Sequence, residues 1–147
     1  MCLNLTEAMF QFEKISLSKF VIIELVGVVM LIGLVSLLPK KEIKYTDISS
    51  DELKQMLQNK DLYLVNVHVP YEGEIEPTDA FVPYDQIEQN LDKLPQDKNA
   101  KIVVYCRSGR MSAIAAKKLA ELGYKNVYNH LLGMHDWQSK GYPLKLE

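Results

Sequence analysis

The segment Lys101–Tyr105 (KIVVY) is almost continuously apolar and rich in β-branched residues. A strand of this composition is buried on both faces, which is typical of an interior strand in a parallel sheet. Helices must then cover the sheet on both sides, and a helix is predicted over residues 111–122, with Gly123 as the residue that closes it. This part of the sequence therefore predicts an α/β fold.

Strands and helices alternate along the rest of residues 42–147. A helix is predicted after Ser49, whose spacing to Glu52 is that of a capping box, and another over residues 85–94. The alternation predicts an open parallel sheet with helices on both faces. The further predicted strands are residues 45–48, 62–67 and 126–128.

Residues 20–38 are apolar apart from one charged side chain, Glu24. At roughly 1.5 Å per residue, a helix of this length reaches about 29 Å, close to the hydrocarbon thickness of a bilayer. A core helix of the same composition would have to be surrounded on all sides, which the roughly 100 residues that follow it cannot easily do. We therefore predict one transmembrane helix or signal segment over residues 20–38, preceded by an N-terminal leader, residues 1–19.

A retained anchor and a cleaved signal are the two alternatives for this segment. A signal peptide has a short basic start, an apolar run of about 7–15 residues and a small-x-small cleavage site. Here the leader is long and includes Glu7 and Glu13, and the sequence after Ser36 offers no such site. These features favour a single-pass membrane protein. A slight excess of lysine after the segment favours a cytoplasmic C-terminal domain but leaves the side of the membrane open.

The composition fits one ordinary folded domain of 147 residues, of which 48% are hydrophobic. Lys and Arg total 17 against 19 Asp and Glu, and this balance argues against nucleic acid as the main partner. The two cysteines, Cys2 and Cys106, lie far apart in sequence, which argues against a fold stapled by disulfides. Cys106 is therefore a candidate for a free thiol with a chemical role.

Cys106 follows the predicted strand Lys101–Tyr105 directly, and a short loop leads from it to the next helix. Ligands bind at the carboxyl ends of strands in open α/β sheets. A loop that folds back toward a helix aims its backbone N–H groups at one point, and Gly109 permits the backbone angles that this requires. Together with Arg107 or Arg110 these donors favour the thiolate, which is the nucleophile. The alternative is a structural cysteine that ends a core strand.

The sequence at this point resembles the single-domain rhodaneses, a family of sulfurtransferases. The likeness extends over roughly residues 43–144, and residues 106–109 (CRSG) match the frequent start of the family's active-site loop. Residues 133–137 (GMHDW) and 141–144 (GYPL) are similar to the family's closing pattern of glycine turn, tryptophan-containing helix and G-Y-P. The resemblance implies a rhodanese-like domain over residues 42–147, with a parallel sheet of about five strands flanked by helices.

The resemblance also implies an activity. Cys106 would be the catalytic nucleophile, taking a sulfane sulfur from a small-molecule donor such as thiosulfate and passing it to a thiol or cyanide acceptor. The backbone N–H groups of residues 107–111 would hold the persulfide, and the chemistry requires no metal and no organic cofactor. Either arginine could face the donor. The implied substrate-binding residues are Arg107, Ser108, Gly109, Arg110 and Met111.

The sequence departs from the family pattern around this loop while keeping the nucleophile. Glu72 matches a glutamate that the family usually has, but other positions expected near the substrate differ. Asn66 and His68 stand in place of the Asp and Arg of a D-V-R motif, Phe81 in place of the His of H-I-P, Met111 in place of a second arginine, and Leu132 in place of the first glycine of a G-G pair.

A cysteine phosphatase is the alternative for the same loop. Such enzymes have an arginine six residues after the nucleophile, which clamps the phosphoryl oxygens with two hydrogen bonds. Here the sixth residue after Cys106 is Ser112, and the arginines stand at the first and fourth positions. The loop therefore suits a smaller group, such as one sulfur atom, and disfavours phosphate or arsenate.

Two further clusters carry weaker signals. The histidines, His68, His130 and His135, lack zinc-finger spacing, and we expect them at ordinary surface or loop positions rather than in a metal site with Cys106. The acidic run of residues 72–76, followed by Asp79, is expected to be a solvated insertion. Because it follows a strand, it could lie near the Cys106 pocket, disfavour anionic donors and favour a protein or thiol partner.

A different class of function also remains open, namely a non-catalytic docking or sulfide-sensing module at the membrane. A pure docking module has no need of a cysteine flanked by arginines. The intact loop after Cys106 therefore favours an enzyme.

Overall fold

The computed structural model describes Ile22, Glu24, Met30 and residues 44–146. The chain divides into two units, residues 1–41 and residues 42–147, and the fold given below is that of the second. Within the described part of the chain, no helix is both long and apolar enough to cross a bilayer. Apart from the three named residues, the predicted leader (1–19) and transmembrane segment (20–38) lie outside the described residues, so the membrane helix stays a prediction.

One open sheet of five parallel strands forms the centre of the second unit. The strands lie in the order β1-β5-β4-β2-β3, and every neighbouring pair is parallel. The central strand β4 coincides with the apolar segment from which the fold was predicted, so the predicted α/β class and the sheet of about five strands are confirmed. The strands are β1 (Thr46–Ile48), β2 (Tyr63–Asn66), β3 (Ala80–Phe81), β4 (Lys101–Tyr105) and β5 (Asn126–His130).

Helices cover both faces of this sheet. They are α1 (Ser50–Gln58), a 3-10 helix (Glu88–Lys93), α2 (Arg110–Glu121) and α3 (Gly133–Ser139). The predicted capping box begins α1: the Ser49 hydroxyl accepts from the Glu52 N–H, and the Glu52 carboxylate accepts from the Ser49 N–H at 2.7 Å.

Alternate residues of β4 point to opposite faces of the sheet and join two separate apolar layers. Ile102, Val104 and Cys106 belong to the layer under α2, because side chains along a strand repeat with a period of two. Val103 and Tyr105 belong to the layer that α1 and α3 cover. This alternation directs the Cys106 side chain toward the start of α2.

The structure differs from two of the predicted elements. Residues 85–94 contain only the short 3-10 helix, and Asn90 breaks it with φ −123° and ψ 33°. The Asn90 amide donates to the Gln86 carbonyl at 2.9 Å, a local side-chain bond that competes with regular helix. The sequence also did not predict β3, since two residues are too few to form a periodic pattern.

The acidic loop of residues 72–79 is anchored rather than simply solvated, which corrects the expectation. Ile75 is fully buried, and its N–H donates to the Tyr105 hydroxyl at 3.0 Å. Thr78 shares a 2.7 Å hydrogen bond with the same hydroxyl. Glu74 forms an antiparallel bridge with Lys145. The loop is therefore tied to the centre of the sheet and to the C-terminal segment.

Candidate active site

Cys106 lies immediately beyond the carboxyl end of the central strand β4. Its free thiol is only 1% exposed, so it is covered by its own loop. Two donors point at the sulfur: the Gly109 N–H lies 3.2 Å from Sγ, and the Ser112 hydroxyl oxygen lies 3.5 Å from it. Hydrogen-bond donors stabilise a sulfur anion more than a neutral thiol, so this contact set favours a nucleophilic cysteine.

Gly109 makes the turn between the sulfur and α2. It is the N-cap residue of the helix and has φ +88°, a left-handed conformation that favours glycine. A Cβ atom at this position would collide with the carbonyl group of Leu131. The turn brings the N-terminus of the 12-residue helix α2, the positive end of its dipole, next to Cys106.

The beginning of α3 holds the loop from the other side. The Met134 N–H donates to the Cys106 carbonyl at 2.9 Å, and the His135 N–H donates to the Arg107 carbonyl at 3.0 Å. Gly133 permits this approach, because a Cβ atom there would collide with the same two carbonyl groups. The loop backbone is thus fixed by contacts remote in sequence.

The expected substrate-binding residues, 107–111, differ from one another in their exposure and in their contacts with the Cys106 sulfur. Of their backbone N–H groups, only that of Gly109 donates to Sγ in the described structure. The side chains of Arg107, Ser108 and Arg110 are exposed, whereas Met111 packs against the apolar layer under α2. The hydroxyl of Ser112 contributes the second donor, although the sequence singled out this residue only as the sixth position after the cysteine.

Arg107 is held by two partners outside the loop. Its Nη1 atom donates to Glu72 Oε1 at 3.2 Å, and its Nε atom donates to His135 Nε2 at 2.7 Å. The second oxygen of Glu72 lies 3.2 Å from His68 Nε2, close enough for an ion pair although outside hydrogen-bond geometry. Glu72 therefore bridges Arg107 and His68. We call Glu72, Arg107 and His68 together the Glu72 bridge.

Arg110 differs from Arg107 in this respect. Arg110 is the first residue of α2, and its exposed side chain makes no hydrogen bond or ion pair with any described residue. Of the two loop arginines, Arg110 is therefore the one whose charge is not paired with a described residue.

The histidines are placed differently from the expectation. His68 and His130 are buried, and only His135 is exposed. His130 shares a 2.7 Å hydrogen bond with Ser50, while burial lowers its pKa to about 4. No group of three or more metal-binding side chains occurs among the residues that the structure describes.

The family profile of the rhodanese-like domain matches residues 49–140. The chain belongs to this family. In this rhodanese-like domain Asn66 stands at the position expected for an aspartate. Its side chain holds the segment that follows β2, because it donates to the Gly73 carbonyl and accepts from the His68 N–H. Asn66 is therefore a buried residue whose side chain ties the loop together.

Curated relatives share the domain over part of their own length. YrkF of Bacillus subtilis, named for a proposed sulfur-carrier role, is 31% identical over 97 residues, which are 64% of this chain and 51% of that protein. The tRNA uridine(34) hydroxylase of Yersinia pestis is 30% identical over 110 residues, 67% of this chain and 30% of that protein. The chain thus spans about half or less of the length of these relatives.

Solved structures agree with the rhodanese-like fold. A rhodanese-related protein from Thermoplasma volcanium superposes with a TM-score of 0.60 at 27% identity, covering 70% of this chain and 100% of the other. The polysulfide-sulfur transferase homodimer of Wolinella succinogenes gives a TM-score of 0.56 at 27% identity, with 68% and 77% covered.

Proposed function

We propose that the protein is a sulfurtransferase that carries a sulfane sulfur as a persulfide on Cys106. The observation that supports this most directly is the pair of donors at Sγ, the Gly109 N–H and the Ser112 hydroxyl, at the start of α2. In the first step the Cys106 thiolate attacks the outer sulfur of a donor such as thiosulfate. A new S–S bond forms, the old S–S bond breaks, and sulfite leaves with the bonding electron pair.

The second step returns the enzyme to its starting state. A thiol or cyanide acceptor attacks the outer sulfur of the persulfide, and the Cys106 thiolate leaves. Cys106 carries one negative charge in both states, on Sγ in the thiolate and on the outer sulfur in the persulfide, so hydrogen-bond donors near the end of this side chain favour both states. The neighbours named for sulfur carriage and polysulfide-sulfur transfer support this chemistry.

The identity of Ser112 supports sulfur rather than phosphate as the transferred group. In a cysteine phosphatase this position holds the arginine that clamps the phosphoryl oxygens. Here a small hydroxyl faces Cys106 at 3.5 Å. The site therefore lacks that clamp while keeping a donor for one extra sulfur atom.

The decisive experiment is intact mass analysis of the full chain after incubation with thiosulfate and, separately, with polysulfide. We expect a gain of one sulfur mass that cyanide removes. Cys106→Ser abolishes the gain, whereas Cys2→Ser, the matched control for the other cysteine, keeps it. No gain with either donor overturns the proposal and favours the docking or sulfide-sensing module, a reading consistent with the near-complete burial of Cys106.

The partners and the location are proposed from the sequence. We propose a small-molecule donor and a thiol or cyanide acceptor, no nucleic acid, and attachment to the membrane through residues 20–38 with the side of the membrane open. Fractionation of cells that express the full chain and a chain lacking residues 1–38 tests the attachment. Recovery of the full chain without membranes contradicts it.

A further inference from the structure

In the Glu72 bridge, the carboxylate of Glu72 pairs with Arg107, the first of the two arginines in the loop after Cys106. Resting on the proposed function, we propose that Glu72 is a specificity-determining residue that makes the Cys106 site prefer organic persulfide donors over thiosulfate. The basis is that the carboxylate offsets the charge of Arg107 and leaves one available cation in the loop.

The Arg107 guanidinium forms an ion pair with Glu72 and a hydrogen bond with His135, so two of its nitrogen atoms are already in contact with partners. The carboxylate of Glu72 neutralises the guanidinium at 3.2 Å, and His135 accepts from Nε at 2.7 Å. The remaining guanidinium N–H groups can still donate hydrogen bonds. However, an incoming anion that approaches Arg107 meets the negative charge of Glu72 at the same place.

Glu72 also lies close to a buried neighbour. Its Oε2 atom lies 3.2 Å from His68 Nε2, and the His68 side chain is only 7% exposed. His68 follows β2 two residues after Asn66, whose side chain accepts from the His68 N–H at 3.0 Å. The carboxylate therefore accepts a hydrogen bond from Arg107 and lies next to His68, which follows β2 at the carboxyl edge of the sheet.

The other residues around the loop also suit a donor of low charge. Arg110 is the single loop arginine without a partner among the described residues, and Met111 adds no charge. Leu131, whose carbonyl group adjoins Gly109, is 48% exposed, and Leu132 is 54% exposed. An apolar border next to one cation fits an organic persulfide, which carries one negative charge, better than a compact dianion.

The step with the preferred donor is a thiolate–persulfide exchange. The Cys106 thiolate attacks the outer sulfur of an organic persulfide anion, forms the new S–S bond and displaces the organic thiolate, which leaves with the bonding electron pair. One negative charge enters with the donor and one leaves with the product. Thiosulfate instead brings two negative charges to the same place and releases sulfite.

The test compares two donors on the full chain: thiosulfate and the persulfide of 2-mercaptoethanol, which carries one charge. In Glu72→Gln the ratio of kcat/KM for thiosulfate to kcat/KM for the persulfide is expected to rise about threefold to tenfold, and to fall back as salt is added. Because the readout is a ratio within one preparation, any loss of folded protein cancels.

Glu74→Gln is the matched control. It makes the same change of charge in the same loop, but Glu74 pairs with Lys145 at 3.4 Å instead of Arg107. Its ratio is expected to stay within about twofold of the unchanged protein. In the double variant Glu72→Gln/Arg107→Gln the ratio is expected to return to that of the unchanged protein, because the Arg107 guanidinium that Glu72→Gln leaves unpaired is then absent.

The outcomes separate this inference from the proposed function. If neither donor loads sulfur onto Cys106 in the unchanged protein, the proposed function fails. If both donors load but Glu72→Gln leaves the ratio unchanged, or if Glu74→Gln changes it equally, sulfur transfer stands and the role of Glu72 is overturned.

Discussion

The Ser112 hydroxyl lies between two acceptors, 3.5 Å from Cys106 Sγ and 3.0 Å from the Gly109 carbonyl oxygen. One hydroxyl hydrogen serves one of them at a time. A charged acceptor attracts it more strongly than a neutral carbonyl, so deprotonation of Cys106 draws the hydrogen toward the sulfur. Ser112 is therefore a positioning residue for the nucleophile.

The first prediction concerns this hydroxyl. Ser112→Ala is expected to slow alkylation of Cys106 by iodoacetamide at neutral pH about threefold to tenfold, because the thiolate loses one of its two donors. The rate is measured from intact mass against time over a range of pH, with Cys2 replaced by Ser. Ser108→Ala, an exposed serine of the same loop, is the control and should keep the original rate. Equal slowing in both variants would contradict the assignment.

The second prediction concerns the close approach of α3 to the loop. Gly133→Ala is expected to destabilise the fold by about 2–4 kcal/mol, since it combines a left-handed φ of +63° with a collision against the Cys106 and Arg107 carbonyl groups. Gly141→Ala has a similar φ of +74° but open space around it, and about 1 kcal/mol is expected. Urea unfolding measures both values, and equal values would exclude the collision.

The third prediction is a loss of stability in acid caused by His130. Its pKa is lowered to about 4 by burial, below the usual 6.5, so the unfolded chain binds the proton more readily than the native protein. The contribution of this group to stability is complete above the unfolded pKa and is lost as pH falls from about 6.5 to about 4. Between pH 7 and pH 5 the loss is about 2 kcal/mol.

Urea unfolding at pH 7 and pH 5 tests this assignment. In His130→Gln the difference in unfolding free energy between the two pH values is expected to shrink by about the same 2 kcal/mol. An unchanged difference in His130→Gln means that other groups cause the acid sensitivity.

The fourth prediction concerns the anchor of the acidic loop. Tyr105→Phe removes the acceptor of the buried Ile75 N–H and the partner of Thr78, and about 1–3 kcal/mol of destabilisation is expected. Burial also raises the pKa of Tyr105, so its hydroxyl stays neutral over the working range of pH. Tyr63→Phe, which removes only a 2.9 Å bond to the Lys93 carbonyl, is the control and should cost less than about 1 kcal/mol. A similar cost in both variants would show that the loop does not depend on Tyr105.

Much of the fold could be predicted because the signals are local. The strand Lys101–Tyr105 is apolar along its length, and the Ser49–Glu52 capping box is complete within four residues. β3 and the broken helix near Asn90 could not be predicted, because one is too short for a pattern and the other is decided by a side-chain bond to the Gln86 carbonyl. The anchoring of the acidic loop by Tyr105 joins residues 30 positions apart, beyond any local pattern.

The sequence by itself determined the alternation of strands and helices and the place of Cys106 at the end of the central strand, since both follow from periodicity and neighbouring residues. Only the tertiary structure decided which arginine is neutralised. Glu72 and His135 stand 35 and 28 positions from Arg107, and they meet it because β2 and β4 end, and α3 begins, at the same edge of the sheet. The order of charges along the chain does not reveal this contact, because the contact depends on strand order and on the packing of α3.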